Sequence, residues 1–224
     1  MPSVQRGQGR KSDRDRSRGV VAAWLAGRPL VAIWRFVIVI ASAVRDLYVA
    51  RWGEPSRKAA FRVTGLEVEV YKWDAAINPE GVALYATIGS SAHPIAGHDA
   101  KHRVEYFLGL QPPQDAVASP LAALAFYSLR EGVAVSHGDT VPADRPLWPH
   151  TDMHHFLILR PLGDIISPLE LPDGIHVDFM QAIPIFDSEL AYKSRHSARA
   201  LVERWQKLRV TFWNSERKPE PDLS

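Results

Sequence analysis

The sequence predicts an α+β fold: a mixed, largely antiparallel sheet packed with helices, preceded by an apolar N-terminal helix. Three observations support this prediction. Short runs in which apolar and polar residues alternate recur along the chain, as in strands with one buried face. Apolar residues at helical spacing lie before, between and after these runs. Strands and helices do not alternate regularly, which disfavours the parallel sheet of a nucleotide-binding fold.

The composition is that of one ordered domain. With 224 residues, 46% of them hydrophobic, the chain is long enough for one sizeable core and too short for two full domains. It contains no cysteine, which excludes a disulfide framework, a thiolate zinc site and a cysteine nucleophile. No Gly-rich phosphate-binding motif is present either. We therefore expect a cytoplasmic protein that needs no disulfide and no nucleotide.

The positive charge is concentrated at the N-terminus. Residues 1–18 contain six Lys or Arg and two Asp, which gives them a net charge of +4. Because the whole chain has a net charge of +2, the remaining residues carry −2. The near-neutral remainder lacks the basic footprint of a nucleic-acid-binding domain. Residues 1–18 also have too few apolar side chains to offset their ordering entropy. We predict a disordered basic leader and no specific nucleic-acid binding.

An apolar stretch over residues 20–49 raises the question of a membrane span. Arg28, Arg35 and Arg45 interrupt it, so no window reaches the roughly 18 to 20 apolar residues that a span needs. Residues 41–43 resemble a signal cleavage site, but the uninterrupted apolar core before them is shorter than the roughly 7 to 15 residues typical of a signal peptide. We therefore expect no membrane insertion.

An amphipathic helix from Pro29 to Ala50 is the alternative for this stretch, and it would pack on the domain or on a partner. Pro suits a first helical turn, and Gly53 and Pro55 would end the helix. Its apolar residues recur at intervals of three and four, namely Trp34, Val37, Ile40, Val44 and Leu47.

Three alternating runs follow and predict three strands. They contain Leu66 to Tyr71, Val82 to Ile88 and Val104 to Leu110. Because their connections are short, we predict an antiparallel meander.

The second half of the chain predicts a helix, further strands and a helical end. Ser119-Pro120 predicts the start of a buried helix that Gly132 ends. Short strands are predicted at 133–136 and 156–159, separated by a long loop over 138–155, and a longer strand runs through 175–185. Asp187-Ser188 would cap a helix that bends at 194–197 and continues to Leu208. A last strand is predicted at 210–213, and an unstructured tail over 214–224.

Histidines concentrate in two loops, and imidazole is a good ligand for Zn or Fe. Two loops could converge to give a His-dependent metalloenzyme, which is the alternative function. No HExxH motif supports this alternative, so we expect loop histidines rather than a metal site. The histidines are His93, His98 and His102 in the 93–102 segment, and His150, His154 and His155 in the 150–155 segment.

Two features of the strand–loop–strand stretch over 84–110 invite a functional interpretation. Gly89, Ser90 and Ser91 follow a strand, but they lack the GxSxG elbow of a serine hydrolase, so we expect a tight turn. Glu105 interrupts an apolar strand. We expect it on a solvated or ion-paired face, with a binding role as the alternative.

Several motifs in order resemble the suppressor of fused (SUFU) domain family, over roughly residues 47–210. One departure is that members commonly show Thr-x-Gly-Met-Ser, where this chain has Ser90 in place of the Met. The matching pieces are Trp52-Gly53-Glu54-Pro55, the stretch 85–91 (YATIGSS), the strand 103–108 (RVEYFL), the helix 121–129 and the stretch 183–190 (IPIFDSEL).

The resemblance implies a non-enzymatic protein-binding module, and stand-alone bacterial members look like immunity proteins that neutralise a cognate toxin. On this basis we expect a protein partner such as a toxin domain, no catalytic residue, no metal and no cofactor. We divide the chain into a leader (1–18), an apolar helical extension (19–46), a SUFU-like domain (47–213) and a tail (214–224). The candidate contact residues are Gly89, Ser90, Ser91, His98, Glu105, Trp148 and His154.

Overall fold

The computed structural model of the chain describes residues 30–221, with side chains from residue 38 onward except that of Asp173. The predicted basic leader over 1–18, the helix start at Pro29 and residues 222–224 lie outside the described residues.

In residues 30–221, eight strands form one sheet in the order β1-β2-β3-β4-β8-β6-β5, with β7 paired to β8. Among the described strands β4 and β8 run parallel and the other pairs are antiparallel. This arrangement confirms the α+β prediction and the meander of β2, β3 and β4. The strands are β1 Arg57–Val63, β2 Leu66–Trp73, β3 Ala83–Ile88, β4 His102–Leu110, β5 Thr140–Pro142, β6 His155–Leu159, β7 Leu169–Leu171 and β8 Ile175–Ile185.

Helices cover both faces of this sheet. Helix α2 packs on one face, and α1 and α4 pack on the opposite face. The helices are α1 Leu30–Trp52, α2 Ala118–Glu131, α3 Asp187–Arg195 and α4 Ala198–Leu208, with short 3-10 turns at Asp115–Val117 and Pro172–Gly174.

Helix α1 contributes to the core through a stripe at intervals of four residues. Ile40, Val44, Tyr48 and Trp52 are all at most 1% exposed and pack against aromatic residues of the sheet. The Tyr48 ring stacks on Trp52 at 5.0 Å. The predicted helix is thus confirmed over its described part, and it ends at Trp52, because Gly53 takes φ +82°. The proposed domain boundary at residue 47 falls inside this helix. No helix in the described part of the chain is long and apolar enough to cross a membrane.

Helix α2 lies on the other face and begins earlier than predicted. A 3-10 turn leads into Ala118, and Val117 occupies the N-cap without a side-chain hydrogen bond, so the predicted cap by Ser119 is wrong. Gly132 ends the helix in a left-handed conformation with φ +65°, as expected. Inside, the Tyr106 hydroxyl of β4 is hydrogen-bonded to Ser128 Oγ at 2.7 Å, which ties the helix to the sheet.

The C-terminal helices are anchored by a buried carboxylate. Glu189 accepts hydrogen bonds from the Phe186 backbone N–H, Trp205 Nε1 and the Arg217 guanidinium. Phe186, not Asp187-Ser188, is the N-cap of α3. The predicted break near 194–197 is confirmed, since Ser197 Oγ accepts from Ala200 N–H and starts α4.

The structure corrects several other predictions. Residues 133–136 and 210–213 are not strands. Residues 214–217 are not an unstructured tail: Ser215 Oγ donates to the Pro112 carbonyl at 2.7 Å, and Arg217 reaches Glu189 Oε1 at 2.7 Å. Strands β1, β5 and β7 were not predicted from the sequence. Strands β5 and β7 have three residues each, too few to show an alternation of apolar and polar residues. Strand β1 is an edge strand with mostly exposed residues, so it lacks a buried apolar face.

Candidate functional site

The stretch 84–110 is held together by the carboxylate of Glu105, which is completely buried in β4. Its Oε1 accepts hydrogen bonds from the Gly89 and Ser91 backbone N–H groups, both at 2.9 Å, and from Ser91 Oγ at 2.6 Å. Its Oε2 lies 2.6 Å from Thr87 Oγ1. One side chain therefore accepts four hydrogen bonds from the end of β3 and the turn after it.

Burial raises the pKa of Glu105 to about 7, because loss of hydration outweighs the hydrogen bonds from Ser91, Thr87 and Gly89. The network also suits the protonated acid. A proton on Oε2 can be donated to Thr87 Oγ1, which accepts from Tyr106 N–H at 2.9 Å and lies 3.3 Å from the Tyr106 carbonyl oxygen. The site accommodates Glu105 in both protonation states near neutral pH.

Gly89 makes this turn possible. Its φ is +109°, and a Cβ at this position would lie 2.8 Å from the Glu67 carbonyl oxygen of the neighbouring strand. A side chain is therefore excluded both by backbone conformation and by space. This supports the expected tight turn.

The expectation that Glu105 lies on a solvated or ion-paired face is wrong, because its carboxylate points into the interior. Gly89, Ser90 and Ser91 are buried as well. These four candidate contact residues therefore offer little or no surface to a partner in this structure. Their role is to fix the course of the chain that follows them.

That chain leads to the C-terminal end of α2. Ala92 and Ile95 are buried, whereas residues 97–99 are exposed. His98 Nε2 accepts a hydrogen bond from Ala134 N–H at 3.4 Å, and Ala96 packs against Gly132. Of the candidate residues in this loop, His98 alone reaches solvent.

An apolar groove of about 900 Å³ lies between α2 and the segment 141–149, and we call it the α2 groove. Tyr127, 40% exposed, stands on the helix side, and the candidate residue Trp148 is buried in the opposite wall. The rim carries both charges, on Arg130, Glu131, Asp144 and Arg145. The apolar lining also includes Val63, Leu124, Phe126, Val141, Leu147 and Phe156.

The far wall of the α2 groove is hydrogen-bonded to the segment that leads into β6. Ala143 N–H donates to the His154 carbonyl at 2.8 Å, and Leu147 N–H donates to the Met153 carbonyl at 3.0 Å. Its lining prolines, Pro142, Pro146 and Pro149, restrict the backbone further. The long loop over 138–155 is therefore an ordered wall, and the candidate His154 is half-buried behind it.

Tyr127 was not predicted as a groove residue, because the apolar composition of α2 indicated a helix buried on all sides. A signal was available: Ala123, Tyr127 and Arg130 recur at intervals of three and four, and so form an outward face.

The two histidine loops do not form the common metal site of the alternative hypothesis. His155 Nε2 lies 2.7 Å from Asp187 Oδ1, and His154 is half-buried beside it. Among the side chains that the structure describes, the only group of three or more potential ligands is His102, His176 and Asp178. His102 starts β4 and meets residues of β8, not of the second loop.

Comparisons with known proteins agree on one fold. The family model described as suppressor of fused protein (SUFU) matches residues 65–218, a match that includes the docked Arg217. A comparison with curated protein sequences finds no match.

Three solved structures are similar at 18–20% identity, a level that shows the fold alone. A SUFU homologue from Neisseria gonorrhoeae gives a TM-score of 0.62 at 20% identity, covering 81% of this chain and 96% of that one. The crystal structure of the Sufu–Fu complex gives a TM-score of 0.59 at 18% identity, covering 84% of this chain and 94% of that one. Drosophila Suppressor of Fused gives 0.56 at 19%, covering 82% of this chain and 52% of that one.

Proposed function

Because this chain belongs to the suppressor of fused family, we propose that it is a non-enzymatic protein-binding module that serves as an immunity protein. In this proposal it neutralises a cognate toxin by stoichiometric binding and blocks the toxin's functional surface. The α2 groove is the contact site.

The α2 groove supports the proposal because it has the composition of a protein–protein interface. Such interfaces combine an apolar, aromatic centre with a polar rim, and a few central residues supply most of the binding energy. Tyr127 and the apolar walls provide the centre, and Arg130, Glu131, Asp144 and Arg145 provide a rim of mixed charge. Several protruding apolar side chains of a partner would together fill the groove, while their polar neighbours pair with the rim.

The groove is also preorganised, which lowers the cost of binding. Its helix side is tied to the sheet by the hydrogen bond between Tyr106 and Ser128, and backbone bonds from Ala143 and Leu147 hold its far wall to the segment before β6. Binding therefore requires little ordering of this chain. Occlusion of a partner needs such a rigid surface and no reacting group.

The comparisons support the two parts of the proposal to different extents. The Sufu–Fu complex contains a relative bound to a protein, which supports protein binding. The immunity role rests on the resemblance to stand-alone bacterial members, and the similarity to the Neisseria homologue over 96% of its length supports that comparison. The chain spans about half of the Drosophila protein, so the remaining half of that relative does not enter the proposal.

A growth assay tests both parts. The gene beside this one is examined for a toxin domain, which is then expressed in a host with or without this chain. We expect the chain to restore growth. Ala123→Glu, which places a charged side chain in the α2 groove, should abolish protection, and it should weaken binding at least about thirtyfold, as loss of a 2 kcal/mol hot spot would.

The matched control is Ala191→Glu, the same substitution at an exposed position of α3 outside the groove. It should protect like the wild type. If Ala123→Glu protected as well as the wild type, the α2 groove would not be the contact site. A neighbouring toxin that binds the chain in no assay would overturn the immunity role.

A further inference from the structure

We propose that His102, His176 and Asp178 form a binding site for one Zn²⁺ ion, with Glu170 as the residue that positions His176. The site lies where β4 and β8 begin, on the face of the sheet that α2 covers. It is separate from the α2 groove, and the proposal involves no catalysis.

The topology of the sheet brings these residues together. Strands β4 and β8 are parallel, and their register pairs His102 directly with His176. Asp178 follows two residues later on β8, so its side chain lies on the same face. The two imidazole rings are stacked, with centroids 5.9 Å apart and planes inclined by 13°. The three donor groups thus come from adjacent positions of a rigid sheet.

The distances suit a small metal ion. His102 Nε2 lies 3.5 Å from Asp178 Oδ2, and His176 Nε2 lies 2.9 Å from Asp178 Oδ1. The ligand atoms of the three residues all lie within 4.8 Å of one another. Metal–ligand bonds of about 2.0 to 2.1 Å in a tetrahedral site place donor atoms about 3.3 Å apart. Small side-chain rotations would therefore bring the three donors to zinc geometry.

Glu170 gives an independent indication of a ligand role for His176. The register of β7 and β8 pairs Glu170 with His176, and the Glu170 carboxylate is hydrogen-bonded to His176 Nδ1. A carboxylate hydrogen-bonded to Nδ1 favours the tautomer of His176 that is protonated at Nδ1. The lone pair of Nε2 is then directed at Asp178 and His102. Zinc-bound histidines characteristically have such a carboxylate behind them.

The donor set and the exposure favour Zn²⁺ over the hard cations. Two imidazoles and one carboxylate suit Zn²⁺ and similar transition metals, whereas Mg²⁺ and Ca²⁺ prefer oxygen ligands throughout. The His102 side chain is 47% exposed, so water or a side chain of a bound protein can reach the fourth position. The site is open to solvent on this side.

A protonated His176 held between two carboxylates is the competing explanation of the same geometry. Glu170 and then Asp178 raise the pKa of His176, and in that state a proton takes the place that the metal would occupy. Metal binding distinguishes the two explanations, because a protonated His176 that only pairs with Glu170 and Asp178 predicts no affinity for zinc.

Titration calorimetry with ZnCl₂ on the untagged, chelator-treated chain is the test. We expect one Zn²⁺ per chain and no comparable binding of Mg²⁺. His102→Ala and His176→Ala should each abolish the binding, while Glu170→Gln should keep the stoichiometry and weaken the affinity about 10- to 100-fold. Because His102 is exposed, its variant remains informative even if His176→Ala fails to fold.

His98→Ala is the matched control, since His98 is another exposed histidine of the same region but lies outside the cluster. It should bind zinc like the wild type. Absence of zinc binding by the wild type, or equal binding by His102→Ala, would overturn the proposal.

Discussion

Glu105 shows how a single buried acid can fix a turn. Its carboxylate is surrounded by donors from Thr87, Gly89 and Ser91, and burial raises its pKa to about 7. The sequence indicated that this residue was unusual, since it interrupts an apolar strand. Its burial was not predictable, because the donors approach it only where the pairing of β3 with β4 stops, after Ala86 and Phe107.

We expect Glu105 to make the stability of the fold depend on pH. Its pKa in the folded chain is above its ordinary value of 4.5, so its contribution is fully present below about pH 4.5. The contribution is lost as pH rises through about 7, and the loss amounts to about 3 kcal/mol. Urea unfolding of the wild type at several pH values in this range measures it.

Glu105→Gln removes the titration while imitating the protonated acid. Its amide nitrogen can donate to Thr87 Oγ1, and its oxygen can accept the bonds from Gly89 and Ser91. This variant should match the wild type near pH 4.5 and exceed it above pH 7. Glu216→Gln, at an exposed position, should keep the pH dependence of the wild type. Parallel stability curves for the wild type and Glu105→Gln would contradict this account.

At the scale of elements, helix α1 contributes a stripe of buried side chains to the core on one face of the sheet. Its periodicity predicted an amphipathic helix but left open whether the domain or a partner covers the apolar face. That question depends on Trp73, Phe107 and Phe179, which three separate strands bring beneath Tyr48 and Trp52. No local pattern encodes such an assembly.

We expect Tyr48→Ala to lower the free energy of unfolding by about 3 to 5 kcal/mol, the cost of removing a large side chain from a packed core. Tyr48→Phe should cost nothing or stabilise slightly, because the Tyr48 hydroxyl is buried without a hydrogen-bond partner. Denaturant unfolding checks both values. Val39→Ala, 57% exposed on the same helix, should stay within about 0.5 kcal/mol of the wild type. A Tyr48→Ala variant as stable as Val39→Ala would mean that α1 does not pack on the sheet.

At the scale of the whole molecule, the order of local elements was predictable and their long-range pairing was not. The sequence indicated the α+β class, the β2–β4 meander and the family, because each rests on periodicity or on motifs in order. It did not indicate that β8 lies between β4 and β6, since more than 60 residues separate β4 from β8. The His102–His176 pair and the α2 groove both follow from that non-local arrangement.

The central claim, that the chain acts by occupying a partner rather than by turnover, is tested most directly by titrating a cognate toxin's activity with the purified chain. We predict a linear loss of activity that is complete at equimolar chain and independent of incubation time, with the toxin recovered at unchanged mass. Complete inactivation by a small fraction of an equivalent, advancing with time or accompanied by a change in toxin mass, would contradict the claim.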